Sequence, residues 1–206
     1  MPVAVLDALG AGRWVVDHRG MAAAPPDPTD ETLMLRYAAG ETAAFAPLYV
    51  RHKDGVWRYL LRGSHNEAST AELFQDVWAS VVKSRASYQP TARFATWLYR
   101  LAHNRLIDHW RAAKPHDALD EEAQELASHD HETPSARAVQ SEQGTRLLAA
   151  LAGLAPEQRE AFLLQAEGGL SLEDIATTQG VGRETVKSRL RYALVKLRKE
   201  LADVWP

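Results

Sequence analysis

Residues 171–201 read SLEDIATTQGVGRETVKSRLRYALVKLRKEL, and the fold turns on this stretch. Ser171 and Asp174 stand three apart ahead of an apolar run, a capping box that starts a helix at Leu172. Ile175 and Ala176 take its inner face, and alanine is small enough for a second helix to cross closely. Gly180 supplies the left-handed residue that ends a helix, with Val181 packing back under the turn. From Arg183 onward, Val186, Leu190, Leu194, Leu197 and Leu201 recur at spacings of 4, 4, 3 and 4 residues, a single helical stripe. The opposite face carries Arg183, Lys187, Arg189, Arg191, Lys196, Arg198 and Lys199 against Glu184 and Glu200, a net of +5. Charge alone fits the solvated face of any bundle helix. Capping box, turn glycine and basic second helix together make a helix-turn-helix suited to a DNA major groove.

The rest of the chain bounds what such a motif can serve. At 206 residues, 46% hydrophobic and 25% charged, it suits one or two domains with a buried core. It contains no cysteine, which excludes disulfide scaffolds, thiolate metal sites and cysteine catalysis, and suits a reducing cytoplasm. No apolar run approaches the roughly 18–20 residues that span a bilayer, so no membrane association is expected. The opening MPVAVLDALGAGRW lacks a basic segment of the secretory kind. The net charge of −3 is unusual for a DNA-binding chain, so its sign is read segment by segment.

Residues 1–29 are rich in Ala, Gly and Pro and read as a flexible tail, with Met21 an alternative start. Helices are expected at about 30–39, with Asp30 as cap, and at 42–62, 70–85 and 94–113, with a turn over 63–69 and a loop from Ser87 to Arg93 around Pro90. Residues 115–141 form an acidic linker holding Asp117, Asp120, Glu121, Glu122, Glu125, Asp130 and Glu132. A second helical unit fills 142–206. The expected class is all-α: two small helical domains, 30–114 and 142–206, joined and held apart by that linker. His129 and His131 lie in the linker without further ligands, so neither a metal nor a cofactor is expected.

The first domain has its own nucleic-acid character. Between Tyr88 and Lys114 lie Arg93, Arg100, Arg105 and Arg111, with Asp108 the one acid. Tyr88, Phe94, Trp97, Tyr99 and Trp110 are interleaved with them, beside His103, Asn104 and His109. Cations meet phosphates, and aromatic faces stack on unpaired bases at about 1–3 kcal/mol each. The same rings also suit a helical core face, and for Trp97 both uses stand open.

Taken together, ELFQDVWASVV (72–82), FATWLYRLAHNRLIDHWR (94–111) and the segment 154–201 resemble the extracytoplasmic-function group of bacterial sigma factors. The resemblance covers about 30–112 and 142–201, with two separate motifs in the family's order and spacing. It implies a non-enzymatic protein that binds core RNA polymerase and promoter DNA. By resemblance Glu72, Leu73, Gln75 and Asp76 touch polymerase. Tyr88, Arg93, Phe94, Trp97, Arg100, Asn104, Arg105 and His109 meet the opened element near minus ten. Arg183, Glu184, Lys187, Ser188, Arg191 and Tyr192 read the element near minus thirty-five; Lys187 and Arg191 are four apart on one helical face.

One departure stands out. Where the family carries Asp-Ala-Glu-Asp before the polymerase-binding residues, facing a polymerase surface that the resemblance implies is basic, this chain has Ser69, Thr70, Ala71 and Glu72. A phosphate on Thr70, or next on Ser69, would restore the missing charge at a helix N-terminus, which implies a Ser/Thr kinase as activator. The alternative is that Ser69 or Thr70 is an N-cap. An anti-sigma factor is the other controller that the resemblance leaves open. Two further classes compete: a helix-turn-helix regulator acting without polymerase, and an interaction adaptor. Neither accounts for the basic aromatic helix in the first domain.

Overall fold

The computed structural model of this chain describes residues 27–113 and 142–202. Among them every regular element is helical. Helix α1 (Asp30–Ala38) is followed by a single 3-10 turn (Thr42–Ala44), α2 (Phe45–Ser64), α3 (Glu67–Ser84), a second 3-10 turn (Arg85–Ser87) and α4 (Phe94–Ala113). After the linker come α5 (Glu142–Ala152), α6 (Pro156–Gly168), α7 (Leu172–Gln179) and α8 (Arg183–Glu200). The linker expected over 115–141 and most of the tail expected over 1–29 lie outside the described residues, as do His129 and His131.

Local chemistry explains the boundaries, and in three places it corrects the sequence reading. Thr29, not Asp30, caps α1: its Oγ1 accepts from the Thr32 amide at 3.2 Å. Asp30 is already helical, and its carboxylate accepts from Arg51 at 2.7 Å and His52 at 2.6 Å on α2. Burial pushes the Asp30 acid upward, but the hydrogen bonds from Arg51 and His52 outweigh it and hold the group below its usual range.

The turn expected over 63–69 shrinks to His65 and Asn66. His65 ends α2 in the left-handed region at φ 56°, and Asn66 caps α3 through Oδ1, which accepts from the Ser69 amide at 2.9 Å. Neither Ser69 nor Thr70 is therefore a cap. In α8 the third position of the expected stripe belongs to Ala193, which is fully buried, whereas Leu194 is 38% exposed.

The capping box is present in full: Asp174 N–H donates to Ser171 Oγ at 3.1 Å, and the Asp174 carboxylate accepts from the Ser171 amide. Gly180 ends α7 at φ +66°. The capping box thus sets the entry into α7, and Gly180 sets the turn from α7 into α8.

The two helical units share one continuous apolar core that runs from Leu33 and Met34 in α1 to Val186 and Leu197 in α8. They are not held apart, as the acidic linker suggested: α2 and α4 pack directly against α6. Among the described residues, no helix is long and apolar enough to cross a membrane.

Candidate nucleic-acid interface

Helix α8 buries Val186, Leu190, Ala193 and Leu197 against α6 and α7. Helical geometry then turns Glu184, Lys187, Ser188 and Arg191 to the opposite side. Glu184, Lys187 and Arg191 are exposed there, Ser188 is half-buried, and Tyr192 is 55% exposed on the flank. The Arg191 guanidinium lies over the Tyr192 ring, 5.1 Å from its centroid, which stiffens a long side chain before any partner arrives. Arg183 is tied at the helix start, its Nε bonded to Glu173 of α7 at 2.5 Å. Lys187 reaches Glu184 at 3.4 Å. All six residues expected on this face are brought together.

Helix α4 separates its expected residues into two groups. Phe94 is completely buried and Tyr88 nearly so, which removes both from the base-contacting set. The physical reason is a ring cluster: Tyr88 meets Trp97 edge-on at 5.1 Å, and Phe94 lies 5.7 Å from Trp97 and 5.2 Å from His52. Burial, with Glu31 and Asp30 nearby, pushes the Tyr88 hydroxyl up to about 12, so this ring stays neutral at physiological pH. Trp97 is partly buried, packed against the core and still in part accessible. Arg100, Asn104 and Arg105 are exposed, and His109 is half-buried. Arg105 donates to Ser80 Oγ of α3 at 3.0 Å, and Arg93 donates to the Gly169 carbonyl at 3.0 Å. An outward row of cations thus survives on α4, beside one partly open indole.

Sequence reasoning missed what starts this helix. The Phe94 amide donates to Glu31 Oε1 at 2.7 Å, so a carboxylate from α1 caps α4. That bond holds the Glu31 acid below its usual range. No local pattern points to it, because Glu31 lies 63 residues upstream.

On α3, Glu72, Gln75 and Asp76 are exposed on one face, followed by Ala79 and Val82. Leu73 is buried and belongs to the core, so it leaves the expected polymerase-contacting set. Thr70 changes standing most. Its side chain is fully buried, and its hydroxyl donates to the Asn66 carbonyl at 2.7 Å and bonds the Ser64 hydroxyl at 2.8 Å. A kinase has no access to it in this conformation. Ser69 is only half-buried. Among the described residues no cluster of metal-ligating side chains is found.

Comparison with known proteins agrees with this geometry. The model of sigma-70 region 2 matches residues 48–115, and that of sigma-70 region 4 matches 145–197. The chain is 33% identical over 175 residues to the RNA polymerase sigma factor CarQ of Myxococcus xanthus, covering 83% of this chain and 97% of that one. It is 35% identical over 170 residues to the ECF RNA polymerase sigma factor SigE of Mycolicibacterium smegmatis, 80% of this chain and 65% of the relative. Among solved structures, the sigma factor RpoE of Bartonella quintana, in complex with the anti-sigma factor NepR, superimposes with a TM-score of 0.64. There the identity is 22%, covering 79% of this chain and 98% of that one.

Proposed function

The chain belongs to the extracytoplasmic-function group of the sigma-70 family, and from that premise we propose that it mounts on core RNA polymerase and selects promoters. It is a non-enzymatic initiation factor: polymerase does the chemistry, and binding energy drives strand opening. It acts in the cytoplasm, where polymerase works. Residues 30–114 form the unit that binds polymerase and opens the element near minus ten. Residues 142–206 form the unit that reads the element near minus thirty-five, and 115–141 connect them.

The observation that carries this reading is the coexistence of three outward faces in one chain. Lys187 and Arg191 stand on a helix-turn-helix, Arg100, Asn104 and Arg105 stand on α4, and Glu72, Gln75 and Asp76 stand on α3. A regulator that binds duplex DNA alone needs the first face and has no use for the other two. Lys187 and Arg191 approach base edges in the major groove, with Glu184 and Ser188 as neighbours able to accept from bases. Arg183 is spent on Glu173 and positions the helix start. Arg93 just before α4, and Arg100 and Arg105 on it, follow phosphates, while Asn104, His109 and the accessible part of Trp97 face bases leaving the stack.

Control of the chain is a finer matter. Of the two hydroxyls near α3, Ser69 is the one a kinase would reach, and a phosphate there would add charge in the first helical turn, where the dipole favours an anion. An anti-sigma factor, of the kind bound to RpoE in the related structure, is the second controller.

Core binding tests the function. Size-exclusion chromatography of the chain with core polymerase should give a one-to-one complex. Asp76→Arg paired with Glu72→Arg should weaken it by about tenfold or more, through like-charge juxtaposition on a basic partner surface. A wild-type chain that elutes separately from core at micromolar concentration would refute the reading.

A further inference from the structure

The two promoter elements lie about 25 base pairs apart, close to 85 Å at a rise of 3.4 Å per pair. A compact body of about 150 residues has a radius of gyration near 15 Å, hence a diameter of about 40 Å. The docked arrangement of the two units therefore spans less than half the distance that their DNA faces must bridge. The 28 residues from 114 to 141, at about 3.3–3.6 Å each when extended, suffice to cover the rest. Opening is a geometric requirement, which makes the contact that keeps the chain closed a matter of function.

That contact is built around Glu167, at the end of α6. Its side chain is 7% exposed, yet it is a carboxylate with both oxygens engaged by α2. Oε2 accepts from Arg58 Nε at 2.8 Å, and Oε1 accepts from Arg62 Nη1. The Glu167 backbone carbonyl accepts from the Tyr99 hydroxyl of α4 at 2.7 Å. Backbone shape is matched to this approach. A Cβ on Gly55 would fall 2.6 Å from the Tyr99 hydroxyl oxygen and 3.2 Å from the Glu167 carbonyl oxygen. Arg58, Arg62, Tyr99 and Gly55 thus form a socket on the first unit for one residue of the second.

A second strand of contacts ties in both DNA helices. His103 on α4 bonds Glu160 Oε1 on α6, and Glu160 Oε2 accepts from Gln179 Nε2 at 2.8 Å. Gln179 Oε1 in turn accepts from Arg189 of α8 at 2.9 Å. Arg93, from the set expected to meet opened DNA, is occupied by the Gly169 carbonyl. While closed, the chain spends part of its α4 surface on itself.

We propose that Glu167 is a latch: docked between Arg58 and Arg62 it holds the free chain in a self-masked state, and its release is a step in engaging polymerase and promoter. The chemistry suits a reversible contact. A buried ion pair gains little net energy over its hydrated parts, because Coulomb attraction and desolvation nearly cancel. Both sides return to water when the units part, leaving no orphaned buried charge. The apolar core that the two units share favours closure by itself, and the Glu167 pair adds to it a contact that reversing one charge turns from attraction to repulsion.

This inference rests on the sigma-factor reading, and its test separates the two. The chain has no cysteine, so Glu41→Cys and Lys199→Cys, on exposed positions of the two units, give a unique dye pair for energy transfer in the full chain. The latched chain should show one short-distance population, and Glu167→Arg should convert it to a broad, long one. Adding Arg62→Glu to Glu167→Arg should restore the short distance by exchanging the charges. Gly55→Ala is a second, uncharged way to open the socket, and it raises the helix propensity of α2.

Because only the open fraction binds, both opening variants should raise the apparent affinity for core polymerase, about tenfold for a chain that is about 90% closed. The proposal is overturned if Glu167→Arg and Gly55→Ala stay short, or if they open and bind core no more tightly than the parent. Failure of the parent chain to bind core at all would strike the sigma-factor reading and the inhibitory role with it. The distances, measured without polymerase, would still decide whether the latch exists.

Discussion

A carboxylate placed where the Thr70 hydroxyl sits would meet neither water nor a cation. The pocket offers the Asn66 carbonyl and the Ser64 hydroxyl, partners chosen for a small donor. Thr70→Glu should therefore destabilise the chain by about 2–4 kcal/mol instead of mimicking a phosphate. Thr70→Val keeps the shape, removes the hydrogen bonds and should cost about 1 kcal/mol. Urea unfolding checks both, and a Thr70→Glu midpoint equal to that of the parent would contradict the burial argument. Residue type was a poor guide here because Ser, Thr and Asn compete for the same capping role, and Asn66 won it. On α8 the same kind of reading was sufficient. Lys187 and Arg191 point outward because Val186 and Leu190 point inward. Arg191→Ala should cost about 1–3 kcal/mol in binding to the cognate minus-thirty-five element while sparing non-cognate sequence. By contrast, loss of a phosphate-contacting cation on α4 such as Arg100 should weaken all sequences alike and lower the salt dependence. Fluorescence anisotropy of the polymerase complex at several salt concentrations reads both.

At the scale of an element, α4 depends on a residue it does not contain. Glu31 satisfies the first amide of α4 and places a negative charge at its positive end. Glu31→Ala should cost about 1 kcal/mol and show first as faster amide exchange in the opening turn of α4, around Trp97. The pH dependence has a definite sign. The bond from Phe94 lowers the Glu31 acid below its ordinary 4.5, so the carboxylate's contribution is complete above that value. It is lost as pH falls through the lower folded value, and the start of α4 should fray in acid before α8 does. Equal acid sensitivity of the two helices, measured by hydrogen exchange between pH 3 and 6, would contradict this. The helices themselves were legible from their apolar spacing, and the capping box placed the start of α7 at Leu172. The start of α4 had no local signal beyond the loop around Pro90. The aromatic set of α4 was legible as a group but not in its division. Alternation of rings and arginines does not say which rings turn inward, and Tyr88 and Phe94 went to the core.

For the whole molecule, the order of motifs along the chain was enough to identify a two-unit sigma factor, because each motif is short and encoded in one continuous segment. Their docking was not readable. Arg58 and Glu167 are 109 residues apart, and nothing near either one marks it as half of a pair. The acidic linker suggested separation, since charge repels and solvates. It says nothing about surfaces the linker does not touch, and those surfaces meet. On the latch proposal, the free chain rests folded on itself and works extended. As a sigma factor this chain should direct polymerase to a start site, and run-off transcription reads that out. Core polymerase, genomic fragments carrying candidate promoters, and the purified chain should yield discrete transcripts that vanish when the chain is omitted. They should also vanish when Lys187→Ala and Arg191→Ala are combined. Transcripts that are the same with and without the chain, under conditions where it binds duplex DNA by itself, would contradict the claim.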